Sequence, residues 1–191
     1  VTFLTGCGSV NTGTVGIMTS WGKASEDLRE PGFHWVWIWE RLEPMSIQIE
    51  KETVIAGAAS LDSQVVNTEI ALNYRLKANN AVRMFKEVGK DYATKIIEPG
   101  ILETVKAVTA QYIATDLIKE RESAKMAIAN ALTTRLTPYG IEVIEVSITD
   151  FDFSEDFNQA IENKMVAEQQ ALQAENRLKQ VIIEAKMAEA K

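Results

Sequence analysis

Residues 139–176 read YGIEVIEVSITDFDFSEDFNQAIENKMVAEQQALQAEN. Two periods meet in this stretch. From Ile141 to Thr149 the residues alternate, with Val146 and Ile148 opposite Glu145 and Ser147, the period-two pattern of a half-buried strand. From Ser154 the pattern becomes helical, and no Gly or Pro interrupts it between Glu155 and Lys191. Ser154 suits a helix cap, and Glu155 and Asp156 lie near the positive end of the helix dipole. A strand that closes a domain therefore feeds directly into a long helix.

That helix aligns with itself in elevens: AIENKMVAEQQ from Ala160, ALQAENRLKQV from Ala171 and IIEAKMAEAK from Ile182. Ile161, Leu172 and Ile183 share one column, and Ala160, Ala171 and Ile182 the next. An eleven-residue repeat corresponds to about 3.67 residues per turn, which favours straight or slightly right-handed association over a left-handed heptad coil. The plain alternative is a solvated single helix held by i,i+4 pairs such as Lys164–Glu168 and Glu175–Lys179. A polar helix of this length is marginal alone in water, so the expectation is assembly through Ile161, Leu172, Ile183, Ala160, Ala171 and Ile182.

Upstream, Glu122–Leu136 carries Met126, Ala129, Leu132 and Leu136 at helical spacing, and Pro138 and Gly140 close it. Ile101–Tyr112 carries a second helical stripe. Asp91 is read as the cap of a short helix that stops before Pro99. Asn79 or Asn80 is read as the cap of a helix that Gly89 ends. Val65–Leu76 alternates as a long strand, with Ile70, Leu72, Tyr74 and Leu76 on one face. Met45–Glu50, Thr14–Ser20 and Phe33–Trp39 read as further strands. Strands first, then helices, then a returning strand predict an α/β fold with a mixed sheet and packed helices, followed by a coiled-coil-like helix.

Trp35, Trp37 and Trp39 share one face of any strand through them, with Phe33 beside them. Two readings stand open: core packing against the helices, or contact with a membrane headgroup region, where tryptophan is favoured.

The N-terminus reads Val1-Thr2-Phe3-Leu4-Thr5-Gly6-Cys7. Leu4-Thr5-Gly6-Cys7 resembles a bacterial lipobox, which makes Cys7 a candidate lipid attachment site. The alternatives are the last turn of an uncleaved N-terminal helix, or an apolar tail with an incidental cysteine. Residues 8–13, rich in Gly, Ser, Asn and Thr, read as a flexible connector.

The 191 residues carry a net charge of -7, which argues against a nucleic-acid partner. Cys7 is the single cysteine, so no intrachain disulfide can form, and His34 is the single histidine. One His and one Cys cannot build the common zinc sites, and a Cys7–His34 catalytic pair is disfavoured by the loose start of the chain. No phosphate-binding GxxxxGK[ST] loop and no GxGxxG after a strand occurs. Asp150, Asp152, Glu155 and Asp156 are accounted for by capping and solvation. The expectation is no enzyme activity, no cofactor and no metal site.

Several segments resemble the prohibitin family of the stomatin–prohibitin–flotillin (SPFH, band 7) superfamily. They are VNTGTVGIMTSWGK from Val10, REPGFHWVWIWE from Arg29, ASLDSQVVNTEIALNYRL from Ala59, EVGKDYATKIIEPGILETVKAVTAQYIATDLIKERE from Glu87, and the stretch from Tyr139. The departures are the cysteine-bearing start and the Trp-rich strand. The resemblance implies an SPFH domain over 14–153, preceded by an anchor remnant and linker over 1–13 and followed from 154 to 191 by an oligomerisation helix. It further implies a membrane-anchored scaffold that forms a homo-oligomeric ring or cage, organises membrane lipid and regulates a membrane AAA protease. With the lipobox-like start, the expected location is a bacterial cell membrane. The alternative function is a peripheral adaptor that binds one partner through its C-terminal helix without forming a ring.

Overall fold

The computed structural model describes residues 5–189, with side chains described over 8–149 and 151–183. Val1–Asp152 and Phe153–Lys191 are separate compact units. In the first unit the N-terminal part is all β. Strands β1 (Thr5–Val10) and β4 (Gly32–Trp37) pair antiparallel. Strands β2 (Thr14–Ser20), β3 (Lys23–Arg29) and β5 (Glu40–Ser46) form a second sheet with β2 central.

The segment read as a flexible connector thus contributes residues 8–10 to β1. Gly8 of that segment and Gly16 of β2 serve packing. A Cβ on Gly8 would stand 3.0 Å from Val36 Cγ2, and one on Gly16 would stand 2.7 Å from both Leu42 Cδ1 and Val10 Cγ2. Glycines here let the two sheets approach over Val10, Val15, Ile17 and Val36, all buried.

The third sheet has the order β6-β7-β8, from β6 (Glu50–Ala59), β7 (Val65–Leu76) and β8 (Ile141–Phe153). Val66, Ile70, Leu72, Tyr74 and Leu76 of β7 are buried as the alternation requires. Met45–Glu50 is not one strand, because β5 ends at Ser46 and β6 begins at Glu50.

The helices are α1 (Ala78–Glu87), α2 (Glu98–Thr109), α3 (Ala114–Lys119) and α4 (Arg121–Leu136). Helix α2 packs on β6 and α4, burying Ile101, Val105 and Val108 with Ile128, Leu132 and Leu136 of α4. Pro99 does not stop a helix. A π-helical turn over Ala93–Ile97 runs straight into α2, and Pro99 lies in the first turn of α2, where a missing N–H costs nothing. Neither Asn79 nor Asn80 caps α1: Lys77 holds that position, and its N–H donates to the carbonyl of Gly140 at 2.9 Å. Gly89, at φ +99°, does end the helix, donating to the carbonyl of Met84.

Two polar junctions tie the pieces together. Asp62 accepts from the Ser60 hydroxyl at 2.6 Å and from the Ala114 N–H at 3.0 Å, at the start of α3. The hydroxyl and the amide hold its carboxyl below the usual range. The Glu50 carboxylate accepts from both Tyr74 and Tyr92, each at 3.3 Å. Burial pushes both phenols well above 10.0, and the Glu50 charge adds to the shift.

In the second unit, α5 (Glu155–Glu189) is one uninterrupted helix. The Ser154 hydroxyl accepts the Phe157 N–H at 3.3 Å, as its cap reading requires. Among the described residues no helix is long and apolar enough to cross a membrane.

Candidate membrane and assembly surfaces

The first surface is built by the β2–β3 hairpin and the turn that carries the chain from β4 to β5. Residues 21–22 are the two-residue tip between β2 and β3, closed by the Ser20–Lys23 pair. Residues 38–39 are the tip between β4 and β5. The Trp21 N–H donates to the Trp39 carbonyl at 3.4 Å, so the tips lie side by side.

Phe33, Trp35 and Trp37 stand on β4, and all three are exposed, Trp35 at 71%. Core packing is thereby excluded for them. The inward face of β4 belongs to the buried Val36. Trp39, expected on the same strand, instead belongs to the tip, because β4 stops at Trp37. It is exposed and stacks on Trp37, with ring centroids 5.3 Å apart and planes 10° apart. Phe33 and Trp35 meet edge to face at 5.7 Å.

Sequence reasoning passed over Trp21 and Ile38, which extend the same patch. Trp21 is 86% exposed and Ile38 66%. Trp21 had a readable signal: a Trp-Gly pair between a β-branched run and a charged one is a hairpin tip, and its indole has no core to enter.

The register of β1 against β4 places Thr5 opposite Trp37 and Cys7 opposite Trp35. The chain therefore enters the fold at the aromatic end. The side chain of Cys7 lies outside the described residues. His34, the single histidine, lies between Phe33 and Trp35 along β4, and its Nε2 lies 2.8 Å from the Glu30 carbonyl. Among the described residues no group of three or more His, Cys, Asp or Glu is arranged to hold a metal ion.

The second surface is α5 by itself. Ala160, Ala171, Leu172, Ile182 and Ile183 are exposed and Ile161 is half-buried. Met165, Val166, Leu178 and Val181 are exposed as well. At about 100° per residue, Ile161, Met165, Leu172 and Ile183 fall on one side of the helix, and Val166 and Val181 on the far side. The eleven-residue column finds Ile161, Leu172 and Ile183; Met165, Val166 and Val181 do not recur with apolar residues at that spacing, so the sequence pattern does not mark them. Lys164–Glu168 and Lys179–Glu175 form the i,i+4 pairs, at 4.0 and 2.8 Å.

The SPFH domain / Band 7 family profile matches residues 9–190, which takes in both surfaces. The chain belongs to this family, on its prohibitin branch. The SPFH chain is 31% identical over 144 residues to Prohibitin-2 of Dictyostelium discoideum, covering 75% of this chain and 49% of that protein. Against Prohibitin-6, mitochondrial, of Arabidopsis thaliana it is 34% identical over 144 residues, covering 75% and 50%. Against Prohibitin 1 of Bos taurus it is 34% identical over 121 residues, covering 63% and 44%. The chain thus spans about half the length of the curated relatives it matches.

Proposed function

We propose that this SPFH chain is the bilayer-facing and assembling part of a prohibitin-like membrane scaffold. The observation that carries the reading is the exposed aromatic face of β4 and the turn after it, at the end where β1 enters the sheet. Phe33, Trp35, Trp37 and Trp39 lie outside the core of the domain, and tryptophan is the residue best suited to the boundary between headgroups and acyl chains. Attachment comes through the N-terminal end. An acyl group on Cys7 would start beside Trp35 in the backbone register, and each buried methylene contributes about 0.8 kcal/mol. An uncleaved N-terminal helix would anchor the same end. A bacterial cell membrane is the location that the lipobox-like residues support.

Assembly into a homo-oligomeric ring or cage runs through α5. Its apolar residues lie on two sides, so one neighbour cannot cover them all, whereas a row of copies covers both. Fully burying one Ile or Leu side chain contributes roughly 1.5–3 kcal/mol. Restraint of a membrane AAA protease is the activity the family resemblance suggests for the assembled particle.

Two measurements test this. Lipid-borne quenchers should quench the tryptophan fluorescence of liposome-bound protein; binding without quenching would remove the bilayer contact. Replacing Ile161, Leu172 and Ile183 with Asp should reduce the large detergent-extracted particle to small species. A large particle that survives the change would move the interface to the SPFH domain, and a wild-type dimer would favour the single-partner adaptor.

A further inference from the structure

Between the β2–β3 hairpin tip and the β4–β5 turn lies a cleft of about 640 Å³, within the size range of small-ligand sites. Trp21, Ile38 and Trp39 line it, Thr19 and Phe85 lie deeper, and Arg41 and Glu43 are its charged groups. Trp21 is the least economical residue in the domain. Its φ of +50° puts a bulky side chain in left-handed backbone, at a hairpin tip that Asn or Gly fills more easily. It is 86% exposed, so its indole returns almost no packing to the fold. A residue that strains the backbone and leaves a large apolar group in water points to use outside the fold.

The charges of the cleft are unbalanced. Glu43 is paired with Lys90, so its charge is neutralised. Among the described residues no carboxylate pairs with Arg41, which is exposed. The Thr19 hydroxyl donates to the Arg41 carbonyl at 3.2 Å and fixes the backbone there. The cleft therefore offers one unneutralised guanidinium under an aromatic rim, although the whole chain is acidic at -7. A guanidinium matches a phosphate, and an aromatic rim matches the glycerol and first methylenes of a lipid.

We propose that this cleft seats the headgroup of one anionic phospholipid, its phosphate on Arg41 and its chains leaving past Trp21, Ile38 and Trp39. The inference rests on the reading that the aromatic end faces a bilayer. The test uses the full chain with phosphatidylcholine vesicles, with the same vesicles containing phosphatidylglycerol, and with soluble glycerol phosphate. Adding phosphatidylglycerol should strengthen co-sedimentation about fivefold, the effect of one basic residue near an anionic surface. The net negative charge of the protein predicts the opposite for unspecific attraction. Arg41→Gln should abolish the gain that phosphatidylglycerol gives, and Trp21→Ala should weaken binding to both kinds of vesicle. Circular dichroism confirms that each variant is folded.

If the wild type ignores every vesicle, the bilayer-facing reading fails. If it binds phosphatidylcholine but gains nothing from phosphatidylglycerol, or if Arg41→Gln keeps the gain, that reading stands and the headgroup site is overturned. Saturable Arg41-dependent binding of glycerol phosphate that vesicles do not displace would make the ligand a soluble phosphate ester and overturn the lipid assignment.

Discussion

Leu132 and Leu172 are the same residue type on helices of one chain. Leu132, on α4, has no solvent exposure, whereas Leu172, on α5, is 52% exposed. The contrast holds throughout. α4 sends Ala124, Ile128, Leu132 and Leu136 inward, at spacings a single stripe can satisfy. α5 distributes Ile, Leu, Val and Met around its axis, and among its described residues none is buried. One helix is finished by its own domain. The other runs as one continuous helix and leaves most of its apolar residues exposed.

The sharpest way to break the contrast is to truncate both leucines. Leu132→Ala should cost the domain about 2–5 kcal/mol in urea unfolding. Leu172→Ala should change that transition by no more than about 0.5 kcal/mol while weakening assembly. Equal losses would mean that α5 is part of the domain core.

A second test concerns the phenols that grip Glu50. Their folded pKa values are raised, so above pH 10 the unfolded chain loses protons that the folded domain keeps, and stability falls as pH rises. Each tyrosine contributes a slope of up to about 1.4 kcal/mol per pH unit in that window. Tyr92→Phe should make alkaline unfolding measurably less steep, and an unchanged slope would show that Tyr92 ionises freely in the folded state.

Asp62→Ala should cost about 1 kcal/mol by removing the acceptor at the start of α3. Asp62 has a lowered pKa, so its contribution is present above the ordinary carboxylate range and fades as pH falls through the folded value. Wild type and variant should therefore converge in acid unfolding curves. Smallest of all, Glu175→Gln should lower the helicity of α5 by an amount equivalent to about 0.3 kcal/mol, a difference that salt removes.

The legible parts of the sequence were those where one period ran long enough. β7 and β8 alternate over many residues, α4 has a clean stripe, and α5 lacks any breaker. β3 and β6 were not found. Lys23–Arg29 is mostly polar because only Ala24, Ser25, Leu28 and Arg29 are partly covered, and Glu50–Ala59 has Ile55 facing solvent, so neither alternates by hydrophobicity. Pro99 misled because a proline inside a helical run and one in a first turn look alike until the π-helical turn before it is seen. The aromatic face was legible as far as Phe33, Trp35 and Trp37. Trp21 and Arg41 escaped because the pairing of β2 with β5, which no local pattern records, is what sets Trp21 beside Trp39 and brings Arg41 opposite Thr19.

The pairing of Thr5 with Trp37 also bears on binding strength. Paired strands lie about 4.8 Å apart, so under the proposed attachment a tether entering through β1 would hold the aromatic tip against the same patch of bilayer at a high effective concentration. The tip can then be a weak binder on its own and still be engaged nearly all the time. If the tether is an N-terminal helix, lengthening the path between it and the strand by a flexible insertion before Thr5 would dilute that advantage without altering a single contact of the tip.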